Sequence, residues 1–277
     1  MFRTLFKNPQ GELRNGWWIA SFFLLLAVGL FPLLLLSQSH GVALEPWMQA
    51  LLVLAVSLLC QRLYGRPQAQ LFGALNRQWL QQLLLGLLLG AGLMAVPALL
   101  LTLFGQISWQ WQGLTGAALS AALLLFVGVA VTEELTFRGF MFQRLIDGVG
   151  SATAQLLMAA YFVLNHAAAL KQGDSWNYLA LANIFIASLM FGLAYLRTKS
   201  LALPIGLHLM ADFTQGTVLG FGVSGSAEQG LFNPVLAAGS PDWLTGGSFG
   251  LEASLPGLVA VTALCWGLWR WRGTAAN

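Results

Sequence analysis

Long apolar runs organise the chain. Eight windows, at residues 17–36, 47–63, 80–104, 114–144, 152–170, 178–196, 201–221 and 255–271, are apolar almost throughout. Each is near the roughly 20 residues that a helix needs to cross hydrocarbon. Barrel strands would be shorter and would alternate between apolar and polar, so helix is the spanning element expected. The pattern predicts an all-α polytopic membrane protein, a bundle of about eight transmembrane helices forming a single membrane domain over residues 1–277.

The polar remainder then sets the orientation. Arg3, Lys7, Arg14, Arg62, Arg66, Arg77, Arg138, Arg144, Arg197, Lys199, Arg270 and Arg272 all fall on one side of such a bundle. Of the 13 Lys and Arg residues only Lys171 falls on the other. Basic residues collect on the inner face of a membrane, so both termini are expected to be cytoplasmic. The first apolar run is longer than a signal-peptide core and has no small-residue cleavage site, so it should persist as a span. Residues 222–254 form the long, non-cytoplasmic loop, rich in Gly, Ser and Pro, with Glu228, Asp242 and Glu252 and no basic residue. Leu231, Phe232, Trp243 and Leu244 give it the means to fold back over the helices.

Composition agrees, with 57% apolar and 8% charged residues and a mean hydropathy of +0.72. That balance excludes a soluble domain. The net charge of +3 is carried by scattered residues and not by a stripe, which argues against a nucleic-acid partner. Cys60 and Cys265 each stand alone in an apolar run, predicting neither a disulfide nor a cysteine-held metal.

Ionisable side chains at membrane depth cost on the order of 2.5 to 3.5 kcal/mol each, so those present need a reason. They are Glu133, Glu134 and Arg138 in VTEELTFRGF, His166 in YFVLNHAAAL, and His208 with Asp212 in LPIGLHLMADF. Glu134 and Arg138 are spaced i, i+4 and can pair on one helical face, which turns Glu133 about 100° away. Either histidine alone reads more simply as a packing residue, and His208 could bond only to Asp212 one turn on. Acidic and imidazole groups on three separate spans are more than packing requires. Counted at 1.5 Å per residue from the inner ends of their windows, Glu133, His166 and His208 lie about 16, 21 and 10 Å deep. Those levels are close enough for helix tilt or a later helix start to bring them together.

The three segments resemble the CAAX prenyl endopeptidase and bacteriocin-processing family of intramembrane proteases, whose pattern runs EExxxR, FxxxH, then H followed at the fourth position by Asn or Asp. Glu133, Glu134 and Arg138 match the first motif, Phe162 and His166 the second, and His208 and Asp212 the third. TGGSFGLEAS, residues 245–254, is similar to a stretch of bacterial members. The resemblance implies catalytic core helices within residues 114–221 and an endopeptidase acting on a peptide or protein substrate in a bacterial plasma (inner) membrane. It also implies Glu133 as the base that activates water, assisted by His166, with His208 and Asp212 at the oxyanion. Glu134, Arg138 and Phe162 are expected in supporting roles. An ionised Asp212 only accepts hydrogen bonds, so orienting His208 suits it better than donating to an oxyanion.

Two questions stay open at this level. Glu133, His166 and His208 could work without metal or hold zinc or another divalent cation, although no HExxH is present. Buried charges also suit an ion- or proton-coupled transporter, and the same fold could serve as a non-enzymatic immunity or scaffold protein; the motif order favours the protease. The pattern sets no oligomeric state.

Overall fold

A computed structural model describes residues 5–41, 43–172 and 175–274; Arg3 lies outside them. The chain is mainly helical: α1 (Asn15–His40), α2 (Pro46–Leu63), α3 (Ala69–Phe72), α4 (Arg77–Leu103), α5 (Gly116–Arg138), α6 (Phe140–Val149), α7 (Ser151–Asn165), α8 (Ala167–Leu170), α9 (Tyr178–Thr198), α10 (Ala202–Asp212), α11 (Asp242–Thr245) and α12 (Leu255–Arg270). Among the described residues five helical stretches are long and apolar enough to cross a membrane: α1, α2, α3 with α4, α5 with α6, and α9. The apolar α12 is shorter.

Helix starts follow simple chemistry. Asn76, Thr115, Asn177 and Ser254 each stand just ahead of an apolar run and accept from a backbone N–H of the first turn, at α4, α5, α9 and α12 respectively. Outward faces stay apolar because lipid, not water, meets them: Leu24, Val28 and Phe31 of α1 are all exposed.

Three of the predicted windows are interrupted. Window 114–144 breaks at Gly139, between α5 and α6, where ψ is −134° and a Cβ would sit 2.2 Å from the Leu135 carbonyl oxygen. Only glycine fits so close to the turn before it. Window 152–170 ends its main helix at Asn165, with His166 at the junction to α8. Window 201–221 runs as α10 to Asp212 and then widens into a π-helical turn, Phe213–Val218. Such turns leave backbone out of the regular ladder and are frequent beside functional sites.

The tightest packing is between α4 and α10. A Cβ on Gly86 would lie 2.4 Å from the Leu203 oxygen, one on Gly90 2.2 Å from the Leu207 oxygen, and one on Gly206 2.4 Å from the Leu83 oxygen. The two backbones therefore touch with no side-chain layer between them, as small residues allow in membranes. This contact seats α10, and with it His208.

Connections gather at the two ends of the bundle. At one end Leu201 N–H donates to the Phe72 oxygen, and Arg197 reaches the Leu268 oxygen while its own carbonyl accepts from Thr274 N–H. Arg14, Tyr64 and Asp147 share a cleft nearby. At the other end β1 (Ile107–Trp111) pairs antiparallel with β4 (Phe232–Leu236), Ile107 opposite Leu236 and Trp111 opposite Phe232. A short hairpin, β2 (Lys171–Gln172) with β3 (Ser175–Trp176), lies between α8 and α9. Residues 222–254 do fold back: Phe249, Leu251 and Ala253 are buried, and Gln215 Nε2 donates to the Gly222 oxygen at 2.6 Å. Of the apolar loop residues singled out in the sequence, Trp243 stays exposed.

Enlarging the α4–α10 contact should be felt directly. Gly90→Val is expected to cost about 1–3 kcal/mol by overpacking. A lower melting midpoint in detergent is the readout, and an unchanged midpoint would mean that the two helices can part without loss.

Candidate active site

The site begins with Arg138, a guanidinium only 1% exposed. Its Nη1 donates to Glu134 Oε1 at 3.2 Å, and its Nη2 donates to both the backbone oxygen and Oγ of Ser188 on α9, each at 3.0 Å. The rings of Phe137, Phe162 and Phe191 lie 5.6, 5.0 and 5.1 Å from its Cζ. A cation so far from water needs these partners, and the aromatic faces supply the rest of the surrounding negative potential. The i, i+4 pair expected from the sequence is present.

Glu134 does more than pair. The same Oε1 lies 2.8 Å from His208 Nδ1. A carboxylate held by Arg138 accepts, so Nδ1 is the donor and the ring is fixed with Nε2 as its other face. Phe191 stacks on that ring at 4.8 Å. Nε2 looks toward Asp212 Oδ2 at 3.5 Å and Glu133 Oε2 at 3.8 Å, both longer than a direct hydrogen bond. Glu134, not Asp212, therefore occupies the orienting position on His208, a link that i, i+4 spacing along one helix could not reveal.

Glu133, one residue round α5 from Glu134, approaches the same imidazole from its Nε2 side; its side chain keeps 25% exposure, while its Oε2 is buried without a hydrogen-bond partner. His166 is half-buried where α7 ends, and its Nδ1 lies 2.8 Å from the Phe162 oxygen. A carbonyl can only accept, so Nε2 carries the lone pair of the neutral ring. Phe162 packs against His166 at 4.6 Å between ring centres, which ties its ring to both His166 and Arg138.

One cavity of about 260 Å³ collects these groups: Glu133, His166, His208 and Asp212 line it, within walls that include Phe126, Phe162 and Phe191. The folded-back loop closes it with Ser224, Glu228 and Glu252, and α9 adds Asn183. Sequence reasoning placed none of these four at the site. Glu252 does lie in the TGGSFGLEAS stretch, but nothing in the spacing located it. Glu252 Oε2 accepts from Ser224 N–H at 3.1 Å and from Ser224 Oγ–H at 3.0 Å. Burial pushes the Glu252 carboxyl above the usual carboxylate range, while the bonds from Ser224 and the nearby His166 pull it down. Glu228 is raised by burial too.

Residues 115–214 match the family model described as Type II CAAX prenyl endopeptidase Rce1-like. The resemblance carried by the three motifs is thereby borne out over a stretch that contains all of them, a little over a third of the chain. No curated protein and no solved structure matches the chain. The CAAX endopeptidase match and the apolar helices together support a multi-pass membrane protein with a protease-like core.

A zinc ion needs three protein ligands within about 2.0–2.3 Å of one point. Among the described residues no three His, Cys, Asp or Glu side chains converge in that way. The suggested ligand set Glu133, His166 and His208 thus shares a cavity without making a three-ligand centre.

Removing one member of the buried pair leaves the other charge unpaired, at a cost of about 3–5 kcal/mol. Arg138→Met and Glu134→Met should each lower folded yield and melting midpoint. The double variant should recover part of the loss, and strict additivity would show that the two charges do not depend on one another.

Proposed function

We propose that the chain is an intramembrane endopeptidase of CAAX protease type, in which Glu133 activates water for attack on a peptide bond. The observation that carries the reading is the shared cavity: a buried, unpartnered Glu133 oxygen beside an imidazole whose far nitrogen is already held.

Glu133 takes a proton from water as the water oxygen adds to the scissile carbonyl carbon. His166, with Nδ1 committed to the Phe162 oxygen, offers Nε2 as acceptor to the same water and so helps to orient it. The developing oxyanion is met by His208 in its doubly protonated form, which donates from Nε2–H while Glu134 accepts from Nδ1–H. Asp212, across from Nε2, helps to keep that face of the ring protonated. Collapse of the adduct returns the proton from Glu133 to the leaving amide nitrogen, breaking the C–N bond. Arg138 stays out of the chemistry and keeps Glu134 in its accepting position. No metal takes part in this sequence. The cavity's mainly apolar walls suit an apolar peptide segment as substrate.

The proposed topology is eight crossings with both termini cytoplasmic, in the inner membrane of a bacterium. In it α7 with α8, α10 with its π-helical turn, and α12 complete the five longer stretches. The gathering of basic connections at one end supports this reading. Reporter fusions should be cytoplasmic after Arg144 and external after Gly113; the reverse at either point would remove both the count and the placement of the site.

Glu133→Gln should fold with an unchanged melting midpoint and lose at least about 100-fold in hydrolysis, the usual scale for a general base. Comparing membrane peptides in cells carrying wild type or this variant should reveal a species that accumulates uncleaved. Purified wild type should hold little zinc and resist chelators. Near-stoichiometric zinc, lost in His166→Ala and His208→Ala, with activity returning only on adding metal, would replace the metal-free mechanism.

A further inference from the structure

A second polar cavity, of about 300 Å³, opens at the basic end of the bundle. Arg66 lines it from beyond α2, Gln143 and Arg144 from α6, and Tyr195 and Lys199 from the end of α9. Arg144 is the unusual member. It is 5% exposed, yet its Nε has no hydrogen-bond partner. Asp147 stands 3.1 Å from Nη1, an ion-pair distance, but it is half exposed and cannot neutralise three cations. The guanidinium carbon lies over the Tyr64 ring, 3.8 Å from its centre, a close cation–π contact.

Basic residues after a helix end also answer the negative end of its dipole, which accounts in part for Arg66 and Lys199. It does not account for Arg144, which sits mid-way along α6 with its buried Nε unspent. An unsatisfied buried guanidinium is costly, and a ligand that accepts from it removes the cost. Trp18 and Tyr64 pack edge to face beside it at 5.3 Å, and such rings favour the headgroup level of a bilayer.

We propose that this cavity binds a phosphate group, with Arg144 as its buried anchor and Arg66 and Lys199 closing over it. Arg144 offers the planar fork that matches phosphate oxygens, and the two exposed cations add charge without fixed geometry. At headgroup level the phosphate can come from an anionic phospholipid or from a soluble anion. The site is separate from the catalytic cavity and does not rest on the proposed chemistry.

The test uses full-length protein in phosphatidylcholine nanodiscs, with and without phosphatidylglycerol, and in phosphatidylcholine with added inorganic phosphate. Melting midpoint and lipid retained on native mass spectrometry are the readouts. Phosphatidylglycerol should raise the midpoint and be retained if the phosphate is a lipid's; inorganic phosphate should raise it if the anion is soluble. Arg66→Gln with Lys199→Gln, both exposed and benign to the fold, should reduce the retained lipid or the phosphate affinity about tenfold. Arg62→Gln with Arg77→Gln removes the same charge from the same end outside the cavity and should leave the response intact. No response to either phosphate source, or equal losses in the two double variants, would overturn the proposal.

Discussion

The site depends on one buried cation. Arg138 cannot be stable at its depth without Glu134, Ser188 and the three phenylalanine rings, and those partners come from α5, α7 and α9. Satisfying one guanidinium therefore fixes how three helices meet. Because Glu134 is held by Arg138, it can hold His208 in turn, so a fourth helix is brought into register by the same charge. Phe162 extends the arrangement to His166. The motif arginine acts at a distance from the proposed chemistry, through the groups it immobilises.

Much of this was legible in the residues themselves. Apolar runs mark the helices, and the i, i+4 spacing of Glu134 and Arg138 marks their pair, because both are short-range consequences of helical periodicity. Helix interruptions were not legible. Gly139, His166 and Asp212 lie within runs that stay apolar across the break, so a hydropathy window passes over them. Equally hidden was the Glu134–His208 bond, which joins residues far apart in the chain. The loop's carboxylates reach the cavity only because Phe249, Leu251 and Ala253 find buried seats, a tertiary outcome that no local pattern records.

Each interruption falls next to a residue of the site. His166 stands where α7 ends, and Asp212 stands where the α-helical ladder gives way to the π-helical turn. A regular helix offers side chains at fixed angular steps, whereas a break frees one residue from that register. The unequal depths expected for Glu133, His166 and His208 were counted along uninterrupted helices, and the break at Gly139 lies between Arg144, where the count for Glu133 began, and Glu133 itself.

The contact between α4 and α10 carries a mechanical consequence. Packed helices slide past one another by re-seating a layer of side chains, and at Gly86, Gly90 and Gly206 that layer does not exist. The two helices must therefore travel as a single rod. Because Glu134 ties α5 to His208 and Arg138 ties α5 to α7 and α9, room for a bulky chain to reach His208 is left to the remaining wall, the loop in which Glu252 accepts from Ser224, so the helices form the fixed jaw and the loop the yielding one.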